Sequence, residues 1–351
     1  MQSRWFGSGE DRRTSINRLV VGALALAPPA STAPAEESVA REFLRKVIGF
    51  SEAQIGAVDA GQVVTKQLPV ADKPESAAFG AVRLSGDHAA FARQFRRHVG
   101  VARSGDSILE IGRFSPSPRV EDLAGLTLEE TDFAAARACK PGDCHIKLSR
   151  SAIERMGQEV DWKAGDARAR AAGLMKQMLV EYTASYMQGG TAAMATYANK
   201  DRPLETPAEF RRLLAASSYL VEYVPALHRY LEEFPKGSLA GAEDVFYWQK
   251  DKLAPKPTVS IFHVTIWTDP ERAAAVIASK RIYSSHYFRA GLDLLAVVAA
   301  PGGGCYLMDL YRARIDPPTG ILSGAILGKI RGGIEHGVAE RLRAQAARPP
   351  G

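Results

Sequence analysis

Two histidines in the last third of the sequence are the first candidates for chemistry. His263 lies in a run of alternating residues, on the same predicted strand face as Thr265 and Trp267, and His286 lies in the segment 285–288. An imidazole can act as acid or base near neutral pH, or orient a ligand by hydrogen bonds. The alternative is that each histidine is a hydrogen-bonded structural residue. The residues that we predict to bind a ligand, none with an assigned catalytic role, are His263, Trp267, Tyr283, His286, Tyr287, Ile326 and Ile330.

Cys139 and Cys144 enclose the segment Lys-Pro-Gly-Asp. A Pro-Gly turn can bring two such side chains into disulfide range, and a disulfide is stable in an oxidising compartment. A zinc site is the competing interpretation, but zinc needs two further ligands and only His145 lies near. Two unbonded structural thiols are the third. We favour the disulfide.

Sequence motifs of well-known enzymes are absent. There is no Gly-x-Ser-x-Gly elbow, no phosphate-binding Gly-Lys-Ser/Thr loop, no His-Glu-x-x-His and no dinucleotide fingerprint. The glycines at 302–304 separate two predicted strands and therefore predict a turn. Cys305 follows them and is expected to be a small buried apolar residue, with a Cys305, His286 and Asp293 triad as the alternative. We predict no metal site and no cofactor.

The charge of the chain argues against nucleic acid as a partner. It carries 45 Lys and Arg against 39 Asp and Glu, a formal net charge of +6, and no stretch interleaves clustered basic residues with aromatic ones. With 46% hydrophobic residues, the chain can bury a substantial core.

The first 35 residues have the three parts of a secretion signal. Basic residues come first, an apolar run follows over 19–27, and small residues occupy 33–35. We predict a signal peptide at 1–35 and therefore a periplasmic or secreted protein; the alternatives are a disordered leader and a misassigned start site. The pair Arg12-Arg13 is a weak sign of twin-arginine export. No later run reaches the ~20 apolar residues that a membrane helix needs.

The segment 36–150 predicts the N-terminal α/β part of a main module. Its patterns are a helix over 39–48, a hairpin of strands at 62–69 and 77–84, a helix capped by Asp87, and a strand at 107–114.

The segment 151–253 predicts helices and is interpreted as an insertion. A core-facing helix covers 168–187, and another begins at Thr206, whose hydroxyl can cap it while Pro207 fits the first turn and Glu209 reaches back. A third begins at Pro225.

The segment 257–346 predicts the sheet and long helix that complete the main module. Strand-like runs cover 259–267, 282–288, 292–299 and 305–315, in an antiparallel arrangement. The helix over 323–346 has apolar residues at every fourth position, namely Ile326, Ile330, Ile334, Val338 and Leu342.

Gly324, Gly328 and Gly332 recur along this last helix, and each costs roughly 1 kcal/mol of helix propensity relative to alanine. We expect them to line one face and to let the helix approach a curved sheet closely. The alternatives are a membrane helix-dimer motif and a peripheral amphipathic helix on anionic lipid.

Several short motifs resemble an uncharacterised group of secreted bacterial proteins. They are Asp122-Leu123, Leu126-Thr127-Leu128, Cys139-Lys140-Pro141-Gly142-Asp143-Cys144, Lys147-Leu148-Ser149, Tyr247-Trp248, Lys256-Pro257 and Ser285-His286-Tyr287-Phe288. The resemblance covers most of the chain after the leader and implies no activity.

The order of elements up to the closing helix, which follows Arg314-Ile315-Asp316-Pro317-Pro318, is similar to the START/polyketide-cyclase-like helix-grip fold (SRPBCC). The resemblance implies an α+β fold in which a curved antiparallel sheet grips a long C-terminal helix and encloses an apolar cavity for lipids or other hydrophobic molecules. Residues 257–346 match best, and 151–253 would be a helical insertion.

We therefore expect an exported protein that binds or carries a hydrophobic small molecule or lipid between the sheet and the helix at 323–346. One alternative is a cyclase-like or hydrolytic enzyme that uses His263 or His286. The other is an envelope protein whose helices at 151–253 dock a partner protein through an exposed apolar patch. A peripheral membrane contact stays open, and the sequence indicates no oligomeric state.

Overall fold

The structure of the protein is a computed structural model that describes residues 38–100, 107–252, 254–269 and 274–347. The signal peptide predicted at 1–35 lies outside the described residues. Residues from Ser38 onward belong to one compact unit.

Ten strands are present in the described residues. They are β1 Val64–Gln67, β2 Glu75–Leu84, β3 Ile108–Arg113, β4 Thr196–Tyr197, β5 Leu204–Glu205, β6 Glu243–Asp251, β7 Thr258–Asp269, β8 Ala274–Ser284, β9 Phe288–Ala299 and β10 Cys305–Ile315.

Ten α-helices accompany them in the same part of the chain. They are α1 Val39–Phe43, α2 Glu52–Asp59, α3 His88–His98, α4 Glu130–Ala138, α5 Arg150–Glu159, α6 Ala167–Gly189, α7 Thr206–Ala215, α8 Ser218–Tyr223, α9 Pro225–Glu233 and α10 Ser323–Ala346. A π-helical turn, Leu44–Ile48, continues α1.

Eight strands form one curved antiparallel sheet in the order β1-β2-β10-β9-β8-β7-β6-β3, and β4 pairs with β5 apart from it. The predicted α+β class is confirmed, with a large curved antiparallel sheet, a C-terminal helix and inserted helices. The predicted insertion at 151–253 contains α5 to α9, but its last part is β6, a strand of the large sheet.

The sheet is covered on both faces. Helices α3 and α10 pack on one face, against apolar side chains such as Val264 and Leu307. Helices α1, α2 and α4 to α9 share one hydrophobic core with the other face, which includes Phe79, Met308 and Trp248. Because water is excluded from both sides, β7, β8 and β10 are buried along nearly their whole length.

Two local predictions are wrong in detail. The strand expected at 282–288 is β8, which ends at Ser284, because the serine hydroxyls that follow bond to backbone and build a turn. Ser284 Oγ donates to the carbonyl of His286 at 2.7 Å, and Ser285 Oγ accepts from the N–H of Val259 at 3.0 Å. At the start of α7, the Thr206 hydroxyl does not cap the helix but donates to the carbonyl of Ala195 at 2.6 Å.

Helix α10 lies along β1, β2 and β10, but its predicted glycine face is wrong. A Cβ added to Gly324, Gly328 or Gly332 would meet nothing within 4 Å, so these positions do not mediate close packing. Ile326 is exposed, and the contact face begins instead at Leu327. The close approach comes from Gly80 in β2, which leaves room for the side chains on the C-terminal half of the helix.

A charged contact holds the same half of α10. The Arg341 guanidinium donates to both carboxylate oxygens of Asp309, at 2.9 and 3.0 Å, and lies 3.7 Å from Asp293. Burial and the neighbouring Asp309 carboxylate raise the pKa of Asp293 to about 7. Both acids lie on the α10 side of adjacent strands, so Arg341 neutralises charge that the sheet concentrates there.

Substitution of the glycines separates these two environments. Gly328→Ala is expected to raise the free energy of unfolding by about 0.5–1 kcal/mol, because the new methyl group meets open space and alanine favours the helix. Gly80→Ala is the matched control. It should lower the free energy of unfolding by about 1–3 kcal/mol, because its Cβ would lie 2.6 Å from Leu342 Cδ1 and 2.8 Å from Val338 Cγ1. Urea unfolding measures both; equal losses would show that the helix glycines are packed.

Candidate functional site

A cavity of about 260 Å³ lies between the helical layer and the sheet. It is bounded by α5, α6, the short strand β4 and the end of β8. Its lining residues are Leu148, Ser149, Ser151, Ala152, Arg155, Met175, Met178, Leu179, Glu181, Tyr182, Ser185, Ala195, Tyr197 and Tyr283.

Three tyrosines form the aromatic part of this cavity. The ring of Tyr283 lies 5.9 Å from that of Tyr182 and 6.1 Å from that of Tyr197, measured between centroids. Each hydroxyl is engaged by backbone: Tyr182 donates to Ile282 at 2.5 Å, Tyr283 donates to Lys147 at 3.3 Å, and Tyr197 accepts from the N–H of Ser284 at 3.0 Å. Burial raises the pKa of all three phenols, so they stay protonated. They therefore offer the cavity ring surface rather than free hydroxyls.

Another part of the cavity lining is aliphatic. Met175, Met178 and Leu179 project from successive turns of α6, and all three are buried. Methionine side chains are flexible and polarisable, and they make favourable contacts with aromatic rings. This wall can adapt to ligands of different shape without a change in the helix backbone.

The polar groups gather at the mouth of the cavity. Arg155 of α5 pairs with Glu181 of α6 at 2.6 Å, and both side chains are partly exposed. Ser149 and Ser151 line this cavity and also a neighbouring, more open depression of about 410 Å³. A molecule with one polar end would therefore place that end at the mouth.

A loop closed by a disulfide is hydrogen-bonded to the backbone beside the cavity. Cys139 and Cys144 are bonded, as predicted. In the loop that they close, the N–H of Gly142 donates to the carbonyl of Ala198 at 2.8 Å. The N–H of Ala198 in turn donates to the carbonyl of Leu148 at 2.8 Å. The disulfide loop thus holds the backbone next to two lining residues. No group of three or more His, Cys, Asp or Glu side chains that could hold a metal ion occurs among the described residues.

His263 lies in a closed hydrogen-bond network and does not line the cavity. Its Nε2 bonds to Asp244 Oδ1 at 2.7 Å, its Nδ1 bonds to Tyr186 Oη at 3.1 Å, and its ring packs against Phe234 and stacks on Phe246. Burial lowers the pKa of His263, so the ring is neutral and Tyr186 donates to it. Burial raises the pKa of Asp244, but the hydrogen bonds that its carboxylate accepts, first of all the one from His263, outweigh this, and the net pKa is lowered. The remaining donors to Asp244 are Thr265 at 2.8 Å and Tyr230 at 2.5 Å.

His286 has a separate partner. Its Nε2 lies 2.9 Å from Asp132 of α4, and both side chains are buried. His263 is three residues along β7 from Ser260, which pairs with Ser284, so about 10 Å of strand separates His263 from the turn that carries His286. The two imidazoles do not share one concave site.

The other predicted residues lie on both faces of the sheet. Trp267 and Tyr283 belong to the core beneath the inserted helices, and Tyr283 lines the cavity. Tyr287 and Ile330 pack on the α10 side, while Ile326 is exposed. These residues therefore do not converge between the sheet and α10, because successive side chains of a strand point to opposite faces.

The alternative triad is not assembled either. Cys305 pairs with Ala299 at one end of β10, whereas Asp293 pairs with Tyr311, six residues along. His286 bonds to Asp132. Burial raises the pKa of Cys305 to about 11, which disfavours the nucleophilic thiolate.

Lys280 is a buried group that the sequence interpretation missed. It lies directly opposite His263 in β8, and its Nζ donates to Thr191 Oγ1 at 2.6 Å. The amine lies 3.7 Å from the ring centroid of Phe210 and 5.1 Å from that of Tyr186. No carboxylate lies within ion-pair distance of it in the part of the chain that the structure describes. Burial lowers the pKa of Lys280 well below its ordinary value.

Comparisons with known proteins do not assign the site. No protein-family model and no curated protein matches the chain. Among solved structures, the Zhui aromatase/cyclase from Streptomyces sp. R1128 is similar over 38% of this chain and 78% of its own, with 13% sequence identity and a TM-score of 0.22. A similarity of this size identifies neither a substrate nor a reaction.

Lys280→Met should stabilise the protein, on the order of 1 kcal/mol near neutral pH, because it removes an amine that is poorly compensated in the core. The folded-state pKa lies below the unfolded one, so the wild-type penalty is largest at low pH. The advantage of the variant should shrink as pH rises toward 10.5, the ordinary lysine pKa. Urea unfolding over this pH range measures it.

Lys250→Met is the matched control. Lys250 is also buried, but it pairs with Glu129 at 2.5 Å and Glu110 at 3.6 Å, so its replacement should lower the free energy of unfolding. If Lys280→Met loses stability as Lys250→Met does, the contacts of the Lys280 amine stabilise the core by more than its burial destabilises it.

Proposed function

We propose that this protein binds a small apolar or aromatic molecule in the cavity lined by Tyr182, Tyr197 and Tyr283. The observation that carries the proposal is that all three phenol hydroxyls are engaged by backbone while their rings line the cavity. A ligand there meets aromatic and aliphatic surface and gains binding energy from burial of its own apolar area.

The proposed ligand is small and has at most one polar end. The volume of about 260 Å³ lies near the lower limit for small-molecule sites. The Arg155–Glu181 pair and the serines at the mouth can hydrogen-bond a hydroxyl, carbonyl or carboxylate that remains near solvent. We assign no reaction to the cavity, because neither His263 nor His286 lines it.

This proposal keeps the ligand class expected from the sequence and changes its location. The cavity lies on the sheet face opposite α10. Of the seven residues predicted to bind a ligand, it retains Tyr283. Export to the periplasm or beyond is part of the proposal and is supported by the leader pattern and by the disulfide between Cys139 and Cys144.

A protein-docking role for the inserted helices has less support. It requires a contiguous exposed apolar patch. Among the described residues of 151–253, Val221 is the one large aliphatic side chain that is strongly exposed.

A bulky side chain placed at the cavity mouth should weaken the binding of a small aromatic ligand. Ser185→Trp places an indole at the rim from an exposed position of α6, so the fold is expected to tolerate it. We expect 1-naphthol to bind the wild-type protein in isothermal titration calorimetry, and Ser185→Trp to weaken this binding at least about tenfold, or roughly 1.4 kcal/mol.

Gln188→Trp is the matched control, because Gln188 is exposed on the same helix and does not line the cavity. It should bind 1-naphthol as the wild type does. Native mass spectrometry of protein from its own host extends the test: a small molecule should copurify with the wild type and Gln188→Trp, and not with Ser185→Trp. Equal binding by both variants would place the ligand elsewhere.

A further inference from the structure

The chain carries an apolar tip, residues 320–326, at the start of α10. Ile321 is fully exposed at 104% relative accessibility, Leu322 is 69% exposed and Ile326 is 45% exposed. Three of the six strongly exposed large aliphatic side chains in the described residues therefore lie within six consecutive positions. Scattered exposed aliphatic residues are ordinary, but a cluster of this kind marks a surface that meets an apolar partner.

The N-terminus of α10 lacks a polar capping side chain. Leu322 occupies the N-cap position of α10, and its side chain makes no capping hydrogen bond. Ser, Thr, Asp and Asn are strongly preferred there because they satisfy the free N–H groups of the first turn. An aliphatic side chain at this position that is mostly exposed to water stabilises neither the helix nor the core. The Leu322 side chain can therefore contribute favourable free energy only where it contacts an apolar environment outside this chain.

The charges around the tip favour an anionic surface. Lys73, in the loop between β1 and β2, has its Nζ 3.4 Å from Ser323 Oγ, and Lys329 is exposed two turns along α10 from Leu322. Neither lysine has a carboxylate within ion-pair distance among the residues that the structure describes. The nearby acids are already neutralised by cations: Asp72 by Arg314, and Asp316 by Lys147 and Arg289.

We propose that the apolar tip inserts into the headgroup region of an anionic lipid bilayer. Ile321, Leu322 and Ile326 enter the boundary between headgroups and acyl chains, and Lys73 and Lys329 contact lipid phosphates. The apolar surface spans little more than one helical turn, so binding is peripheral and reversible. No helix in the described part of the chain is long and apolar enough to cross a membrane.

Vesicle cosedimentation of residues 38–351, the compact unit without the predicted signal peptide, tests this inference. The vesicles are phosphatidylcholine alone or phosphatidylcholine with phosphatidylglycerol. The double variant Ile321→Asn/Leu322→Asn should weaken binding to the anionic vesicles at least about tenfold, because asparagine forfeits the transfer of two aliphatic side chains. The double variant Lys73→Gln/Lys329→Gln should lose most of the preference for vesicles that contain phosphatidylglycerol. Added salt should reduce the same preference in the wild-type protein, because it screens the charges of the lysines and the lipid phosphates.

Val221→Asn is the matched control, since Val221 is 55% exposed on α8, away from the tip. It should bind vesicles as the wild type does. All substituted side chains are exposed, and an unchanged thermal midpoint confirms that the variants are folded. Wild-type affinity in the tip variant overturns the inference, because another segment then binds lipid. The inference is also overturned if the wild-type protein does not bind vesicles. It is overturned as well if light scattering shows a wild-type dimer and a monomeric Ile321→Asn/Leu322→Asn variant, because the tip then binds a second copy of the chain.

Discussion

The structure depends on a sheet from which water is excluded on both sides. Helices α3 and α10 cover one face and helices α1, α2 and α4 to α9 cover the other, so a polar side chain on a central strand has to find its partner within the protein. His263 finds a carboxylate and a phenol, and Asp309 finds Arg341. Lys280 finds one hydroxyl and two aromatic rings, which compensate an ammonium poorly.

The same constraint orients the inserted helices on the sheet. At the end of β10, Arg312 pairs with Glu75, and Arg314 pairs with Asp72 and with Glu209 of α7. Buried ion pairs add little net stability, but removal of one partner leaves a costly charge in the core. The pair between Arg314 and Glu209 therefore fixes where α7 contacts the end of β10. The glutamate that could have capped α7 serves this contact instead.

Local patterns predicted the elements well, and long-range pairing was beyond them. The apolar stripe of α6, the Asp87 cap and the Cys139–Cys144 disulfide each depend on residues close in sequence. The extent of β8 was missed because a strand buried on both faces loses the alternation that identifies strands. The partner of His286 is 154 positions away, so no spacing could indicate it. The cavity was missed because its tyrosines come from three separate elements.

Helix α10 is packed more tightly at its C-terminal end than at its start. A helix of 24 residues is about 36 Å long and stiff along its axis. Its C-terminal half packs closely at Gly80 of β2 and is held by the ion pair of Arg341, whereas its first turns contact the sheet mainly through Leu327 and Ile330. A sideways displacement of the first turns would therefore be transmitted along the stiff helix to Arg341. It would change the distances from the Arg341 guanidinium to the carboxylates of Asp309 and Asp293, which lie near the other end of the helix.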